Sequence, residues 1–215
     1  MHGFGPKVLA IDEESGGFAM EHLEGRTLTK DTIRERLPQA LNVLRRIHEA
    51  EAMEGMRSYD PMQVVRGQLE QIKESGTMQP DDIRLVESIM RNAEEQVTGH
   101  PWAPCHNDFH SQNVMLHDNE RLLAIDFEDC DLGDPMWDLA YLTAHLELEQ
   151  DPDSLEDLYG ASAEERRRVR AYVPLAMAQF ATWSALHGVV WAQHQREVVE
   201  RLRELGVNQN ERWAH

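Results

Sequence analysis

The stretch that most constrains this chain runs from Cys105 to Asp138 and reads CHNDFHSQNVMLHDNERLLAIDFEDCDLGDPMWD. Two short apolar runs, NVML and RLLAID, flank a polar turn at His117 to Glu120, a pattern that predicts a tight β-hairpin. An extended segment and a polar loop carrying Asp108 lead into the hairpin, and Asp126 emerges at its far end. Such a fold gathers Asp108, Asn113 and Asp126, three oxygen-bearing side chains, at one place.

That cluster suits phosphoryl transfer. The donor's negative charge has to be held by a divalent ion, and a hard ion takes oxygen ligands, here the Asn113 amide oxygen and the Asp126 carboxylate. A carboxylate at Asp108 would accept the proton of an acceptor hydroxyl and orient it for in-line attack. His106, in the same H-x-D-x-x-x-x-N pattern, serves to brace the loop. Asp and Asn in loops are usually turn formers. The added specificity comes from the strand that ends in Asp-Phe-Glu and from GDPMWDLA, which opens a helix.

These segments resemble the catalytic core of the small-molecule kinases related to choline/ethanolamine kinases and aminoglycoside phosphotransferases. HNDFHSQN is similar to their catalytic loop, IDFE to their metal-binding strand end, and GDPMWDLA to the helix that follows. Glu128 after IDF favours the choline/ethanolamine branch. Asp129 departs from the Tyr that many choline kinase relatives carry there. The short step from Asp126 to Asp134 leaves no room for a protein kinase activation loop.

The resemblance implies an α+β, protein-kinase-like fold: a mainly helical C-terminal lobe with a catalytic β-hairpin, over residues 26–215, and a truncated N-terminal lobe and hinge over 1–25. It further implies ATP and Mg2+ as cofactors, with Asp108 and His106 as the catalytic pair. Asn113 and Asp126 would hold metal and nucleotide, and Glu21 and Leu23 would meet the adenine edge through their main chain. Asp138 would tie its helix to the catalytic loop. In choline kinase relatives the terminal helix adds aromatic residues to the acceptor pocket, a role for Trp183 and Trp191 with Glu128 and Asp129 as countercharge. The same helical spacing also describes two ordinary core tryptophans.

Composition fits a small-molecule substrate. At 215 residues and 41% hydrophobic, the chain has material for one sizeable core. A formal charge of −18 argues against nucleic acid and is compatible with a cationic substrate. No run approaches the roughly 18 apolar residues of a membrane span, and MHGFGPKVLAIDEE lacks a signal pattern, so a cytoplasmic protein is expected. Cys105 and Cys130 have no CxxC spacing and are expected to be reduced.

Read in order, PKVLAID and GFAMEHL form two strands about the turn EESGG, where Gly16 and Gly17 permit positive φ. HGFGPK superficially suggests a glycine loop, but no strand precedes it and Pro6 follows. The family's covering loop, its Lys and the helix Glu that holds the Lys are therefore not expected here. The exposed edges of the first hairpin suggest a homodimer. Helices are expected after the cap Thr29, with Leu37, Leu41, Leu44 and Ile47 or His48 inward, after Asp60-Pro61, and from Pro80. Another begins at Pro135 behind Asp134, and one follows the capping box Ser162/Glu165, kinked or restarted at Pro174. LAMAQFATWSALHGVVWAQ reads as one buried helix, and the tail from Gly206 as frayed.

Two other classes stand beside the kinase. A catalytically weak or inactive kinase-like binding module would follow from the missing front lobe. A metal-dependent hydrolase would use His106, Asp108 and His110 as ligands.

Overall fold

Side-chain caps start four of the described α-helices, and proline in the first turn starts two that lack such a cap. The computed structural model describes residues 3–12, 17–97, 99, 101–117, 120–151 and 153–212, with the backbone alone for 207–212. A first hairpin, β1 (Val8–Asp12) and β2 (Gly17–Met20), pairs Ile11 with Phe18. Its turn, including Gly16, lies outside the described residues, and Gly17 opens β2 as strand. Val8, Leu9, Ile11, Phe18 and Met20 of this hairpin are all exposed. A short strand, β3 (Gly25–Thr27), leads to α1 (Lys30–Arg34), capped by a Thr29/Thr32 box, and then to α2 (Leu37–His48).

α3 (Pro61–Ser75) starts where Asp60 accepts the Met62 amide, and it ends at Gly76, whose φ of 68° no β-carbon obstructs. α4 (Pro80–Gln96) follows, also with Pro in its first turn. β4 (Ala103–Cys105) enters the catalytic region, β5 (Val114–His117) and β6 (Leu122–Ala124) form the expected hairpin, and β7 (Asp131–Gly133) returns. The turn residues 118–119 lie outside the described set. α5 (Pro135–His145), capped by Asp134, is followed by α6 (Asp153–Tyr159), α7 (Ala163–Leu186) and α8 (Ala192–Arg212).

The sheets are small: β1–β2, β3–β5–β6 and β4–β7, each antiparallel. The catalytic hairpin is thus not free-standing, because β3 adds a third strand with Thr27 opposite Met115. The helices bury the core. α5 is apolar almost all round, packs chiefly on α7, and Trp137, Leu139 and Leu142 on it are fully buried. Burying each such side chain contributes about 1.5–3 kcal/mol. Among the described residues no helix is long and apolar enough to cross a membrane.

The C-terminal region departs from expectation. α7 passes through Pro174 as one span, and the apolar run after it is not one buried helix. Gly188, at φ 88°, breaks the run after Leu186, and Val189–Trp191 form a separate 3-10 turn. Val189 and Val190 are 90% and 88% exposed, and Trp183 and Trp191 are 39% and 41% exposed, so neither tryptophan is core. Helix α8 then continues past Gly206 to Arg212, where a frayed tail was expected. Of this tail, 213–215 lie outside the described residues.

Candidate active site

Asp108 sits in a loop whose shape is fixed from below. Asp138, in the first turn of α5 and fully buried, accepts the His106 amide at 2.8 Å and the Asn107 amide at 2.7 Å. The same carboxylate takes His48 Nε2 at 2.9 Å, and His48 Nδ1 reaches the Tyr159 hydroxyl at 2.7 Å. Asn107 adopts φ 64°, and its side-chain amide donates to the Asp129 carbonyl at 2.7 Å, while its own carbonyl accepts from Trp137 Nε1 at 3.4 Å. The loop reverses at Asn107, and Asp108 projects from it half-buried.

The Asp108 carboxylate is held at both oxygens. Tyr141, one turn after Asp138 on α5, donates its hydroxyl to Oδ1 at 2.6 Å. Asn113 Nδ2 donates to Oδ2 at 2.8 Å and to the Asp108 carbonyl at 2.9 Å, and His110 Nε2 lies 3.4 Å from Oδ2. Burial pushes the Asp108 carboxyl up, but the His110 and Tyr141 contacts outweigh it and hold the group below the usual carboxylate range. Burial first, then the Asp108 charge, drives the Tyr141 hydroxyl well up, so it remains a donor. Behind His110, the His145 ring stacks at 5.1 Å and its Nε2 meets Ser111 Oγ at 2.9 Å. Burial, with the neighbouring His110 and Lys30, lowers His145 to about 3.

Asp126 is brought in by the hairpin. The Ile125 amide donates to the Asn113 carbonyl at 2.9 Å, so Asp126 follows a residue bonded directly to the other proposed ligand. Asp126 is exposed, at φ 64°, which turns the chain sharply at the strand end. Asp129 feels the neighbouring acids: its carboxyl is pushed up by burial first, then by the charges of Asp108 and Asp126. Because Asn113 Nδ2 is committed to Asp108, the amide oxygen is the end left to face a cation. That oxygen and the exposed Asp126 carboxylate are a hard donor pair, and the residues present fit a divalent ion of the magnesium type.

His106 faces inward. It is fully buried, with Nε2 on the Ile125 carbonyl at 2.9 Å and its ring 5.1 Å from that of Phe127, so it braces the loop against the hairpin and does not reach an acceptor. His106, Asp108 and His110 therefore do not converge as ligands of one ion. Among the described residues, the one His/Cys/carboxylate trio close enough to share an ion is His48, Cys105 and Asp138. That trio is buried in the core, and its His and Asp are already bonded to each other.

The remaining candidates lie at two edges. Glu128 and Asp129 are exposed on the turn after Asp126. Trp183 and Trp191 meet edge to face at 5.1 Å, with His187 stacked on Trp183 at 3.8 Å and His194 against Trp191 at 6.0 Å. Trp183 lies one turn after Phe180 on α7, and Phe180 packs edge-on to Tyr141 at 4.7 Å, the residue that holds Asp108. In the segment that follows β2, the Glu21 amide donates to the Lys7 carbonyl at 2.9 Å and the Glu21 carboxylate accepts the Lys7 amide at 2.8 Å. Of the Glu21 main chain, only the carbonyl remains for a ligand, and Leu23 follows it half-buried.

Sequence reasoning missed Tyr141 and underread His48. The spacing of Tyr141 from Asp138 puts both on one face of α5, a signal that was present. Nothing local pairs His48 with Asp138, since the contact spans 90 residues.

A family model, APH, the phosphotransferase enzyme family, matches residues 2–172. Protein LicA of Haemophilus influenzae is 28% identical over 154 residues, covering 68% of this chain and 45% of its own. The chain thus spans about half the length of the curated relatives it matches. Among solved structures, a choline/ethanolamine kinase family protein of Mesorhizobium loti superposes with a TM-score of 0.81 at 21% identity, over 99% of this chain and 77% of that one. The choline kinase LicA of Streptococcus pneumoniae gives a TM-score of 0.70 at 22% identity, over 94% and 74%. These likenesses establish the protein-kinase-like fold expected from the motifs.

Proposed function

Because this chain belongs to the phosphotransferase enzyme family, we propose that it transfers a phosphoryl group from ATP to the hydroxyl of a small cationic molecule of the choline, ethanolamine or aminoglycoside kind. The observation that carries this is the double clamp on Asp108, by Tyr141 at one oxygen and by Asn113 at the other. The clamp aims a carboxylate held in its ionised form at the position an acceptor hydroxyl would take.

Asp108 accepts the hydroxyl proton as the oxygen attacks in line, and Tyr141 and Asn113 keep the carboxylate from rotating away. A divalent ion held by the Asn113 amide oxygen and Asp126 would neutralise charge on the donor phosphates. His106 and Asp138 hold the loop and take no proton from the acceptor. Glu21, through its carbonyl, and Leu23 contact the adenine edge. The acceptor's ammonium group sits against Trp183 and Trp191, with Glu128 and Asp129 supplying negative charge. A net charge of −18 favours such a substrate over an anionic one. The exposed apolar side chains of β1 and β2 support pairing with a second copy, which a monomer-only mass in concentrated solution would rule out.

The test is ATP-dependent phosphorylation of a panel of choline, ethanolamine and aminoglycosides, with Asp108→Asn and Asp126→Asn alongside. Turnover of one of these by the native chain, reduced by at least a thousandfold in both variants, is the expected result. Turnover that survives both changes would sink the assignment.

A further inference from the structure

Gly3, Phe4 and Gly5, the described part of the first glycine-containing stretch, have partners that suggest a job next to the β5–β6 hairpin. Gly3 to Gly5 run along the free side of β6. The Ala124 amide donates to the Phe4 carbonyl at 2.7 Å, which ties this segment to the last residue of the strand that leads to Asp126. Arg46 of α2 reaches the Gly3 carbonyl at 3.3 Å. The Phe4 ring lies 6.0 Å from Phe127, and Phe127 lies 5.1 Å from His106. Gly5 is pressed against the same ring: a β-carbon there would stand 2.8 Å from Phe127 and 3.3 Å from the Ala124 carbonyl oxygen.

Asp126 therefore sits between two residues that are each held. On one side Ile125 is bonded through its amide to Asn113 and through its carbonyl to His106. On the other, Phe127 is wedged between His106 and the Phe4–Gly5 segment. The aspartate itself is exposed and in the left-handed region, a conformation that a non-glycine residue keeps only when its surroundings impose it.

Resting on the metal role given above to Asp126, we propose that Phe4 and Gly5 are positioning residues of the active site: they pin Phe127 and Ala124 and so hold Asp126 at the angle needed to bind a divalent ion beside Asn113. The requirement at position 5 is close approach, since any side chain would push Phe127 outward. At position 4 it is a large apolar side chain that fills the space against Phe127.

The experiment measures Mn2+ binding to the full chain by electron paramagnetic resonance in the presence of AMP-PNP, with melting temperature in EDTA as a second readout. Gly5→Ala and Phe4→Ala are expected to weaken Mn2+ binding about tenfold to a hundredfold, with a much smaller change in metal-free melting and in AMP-PNP binding without metal. Phe4→Leu is expected to restore most of the affinity. Asp126→Asn is the control. If it weakens Mn2+ binding and neither Gly5→Ala nor Phe4→Ala does, the bracing role is overturned and the metal site stands. If Asp126→Asn has no effect, the metal site fails and the inference goes with it. Should Phe4→Ala not fold, the series native, Phe4→Leu, Gly5→Ala decides: falling affinity supports the brace, and constant affinity with lowered melting overturns it.

Discussion

The Tyr141 hydroxyl donates a hydrogen bond to Asp108 Oδ1 at 2.6 Å, across 33 residues of sequence, and this bond joins helix α5 to the carboxylate for which we propose the role of proton acceptor. The donor stays protonated, since burial and the adjacent carboxylate both raise its pKa. One residue on α5, Asp138, shapes the loop's backbone, and the next turn of the same helix orients its reactive side chain.

Tyr141→Phe removes the hydroxyl but keeps the ring contacts with Trp137 and Phe180. A hydrogen bond to a charged group contributes about 1.5–3 kcal/mol. We expect kcat to fall roughly tenfold or more with little change in KM for the acceptor, measured in steady-state phosphoryl transfer. A change confined to KM would show that the hydroxyl binds substrate and does not orient Asp108.

Asp138→Ala strands two loop amides and His48 in the core. Leaving buried polar groups without partners costs about 1–3 kcal/mol each, so denaturant unfolding should register a loss of several kcal/mol or no folded protein. His48→Gln should cost about 1–2 kcal/mol, because the loop amides keep their acceptor. Equal losses in the two variants would show that His48, and not the loop amides, is the main partner of Asp138.

His145 sets a pH dependence. Its folded pKa, about 3, lies below the 6.5 of an unperturbed imidazole because burial, and then the neighbouring His110 and Lys30, disfavour the charged ring. A group depressed in this way contributes its full stability above pH 6.5, and that stability drains away as pH falls toward 3, while the unfolded chain takes up the proton. By pH 5 the loss is about 2 kcal/mol, from 1.36 kcal/mol per unit. Melting curves from pH 7 to 5 should therefore fall less steeply for His145→Gln than for the native chain. Parallel curves would refute this.

Trp183→Ala and Trp191→Ala each remove one ring of the edge-to-face pair at the end of α7. A cation–π contact contributes about 0.5–2 kcal/mol, so KM for a quaternary ammonium acceptor should rise roughly twofold to thirtyfold. An uncharged isostere of that acceptor should be affected far less. Equal effects on both would make these tryptophans a general apolar wall and not a cation site.

Much of this architecture was legible in the sequence, because the signals are local. Thr29, Asp60, Asp134 and Ser162 cap the helices they precede, since a side-chain oxygen two or three residues ahead satisfies an amide that the helix leaves unpaired. Alternating apolar runs around a polar turn made the β5–β6 hairpin readable, and the hairpin by itself aligns Asn113 with the end of β6, two residues before Asp126. What lay beyond local signals was misread. Periodicity made one helix of the run through Trp183 and Trp191, and the left-handed Gly188 divides it and leaves both rings exposed.

Sequence alone determined which chemistry-bearing residues a short hairpin must gather, because that depends on turn position and strand length. Only the tertiary structure decided what orients them. Among the partners of Asp108, Asp138 and Phe127 are Tyr141, His48, Phe4 and Gly5, drawn from distant segments by helix packing and by the Ala124–Phe4 strand-edge hydrogen bond. Contacts of that kind depend on how buried surfaces fit together in space: the spacing of Asp138 and Tyr141 marks one face of a helix, but which loop that face meets is not written along the chain.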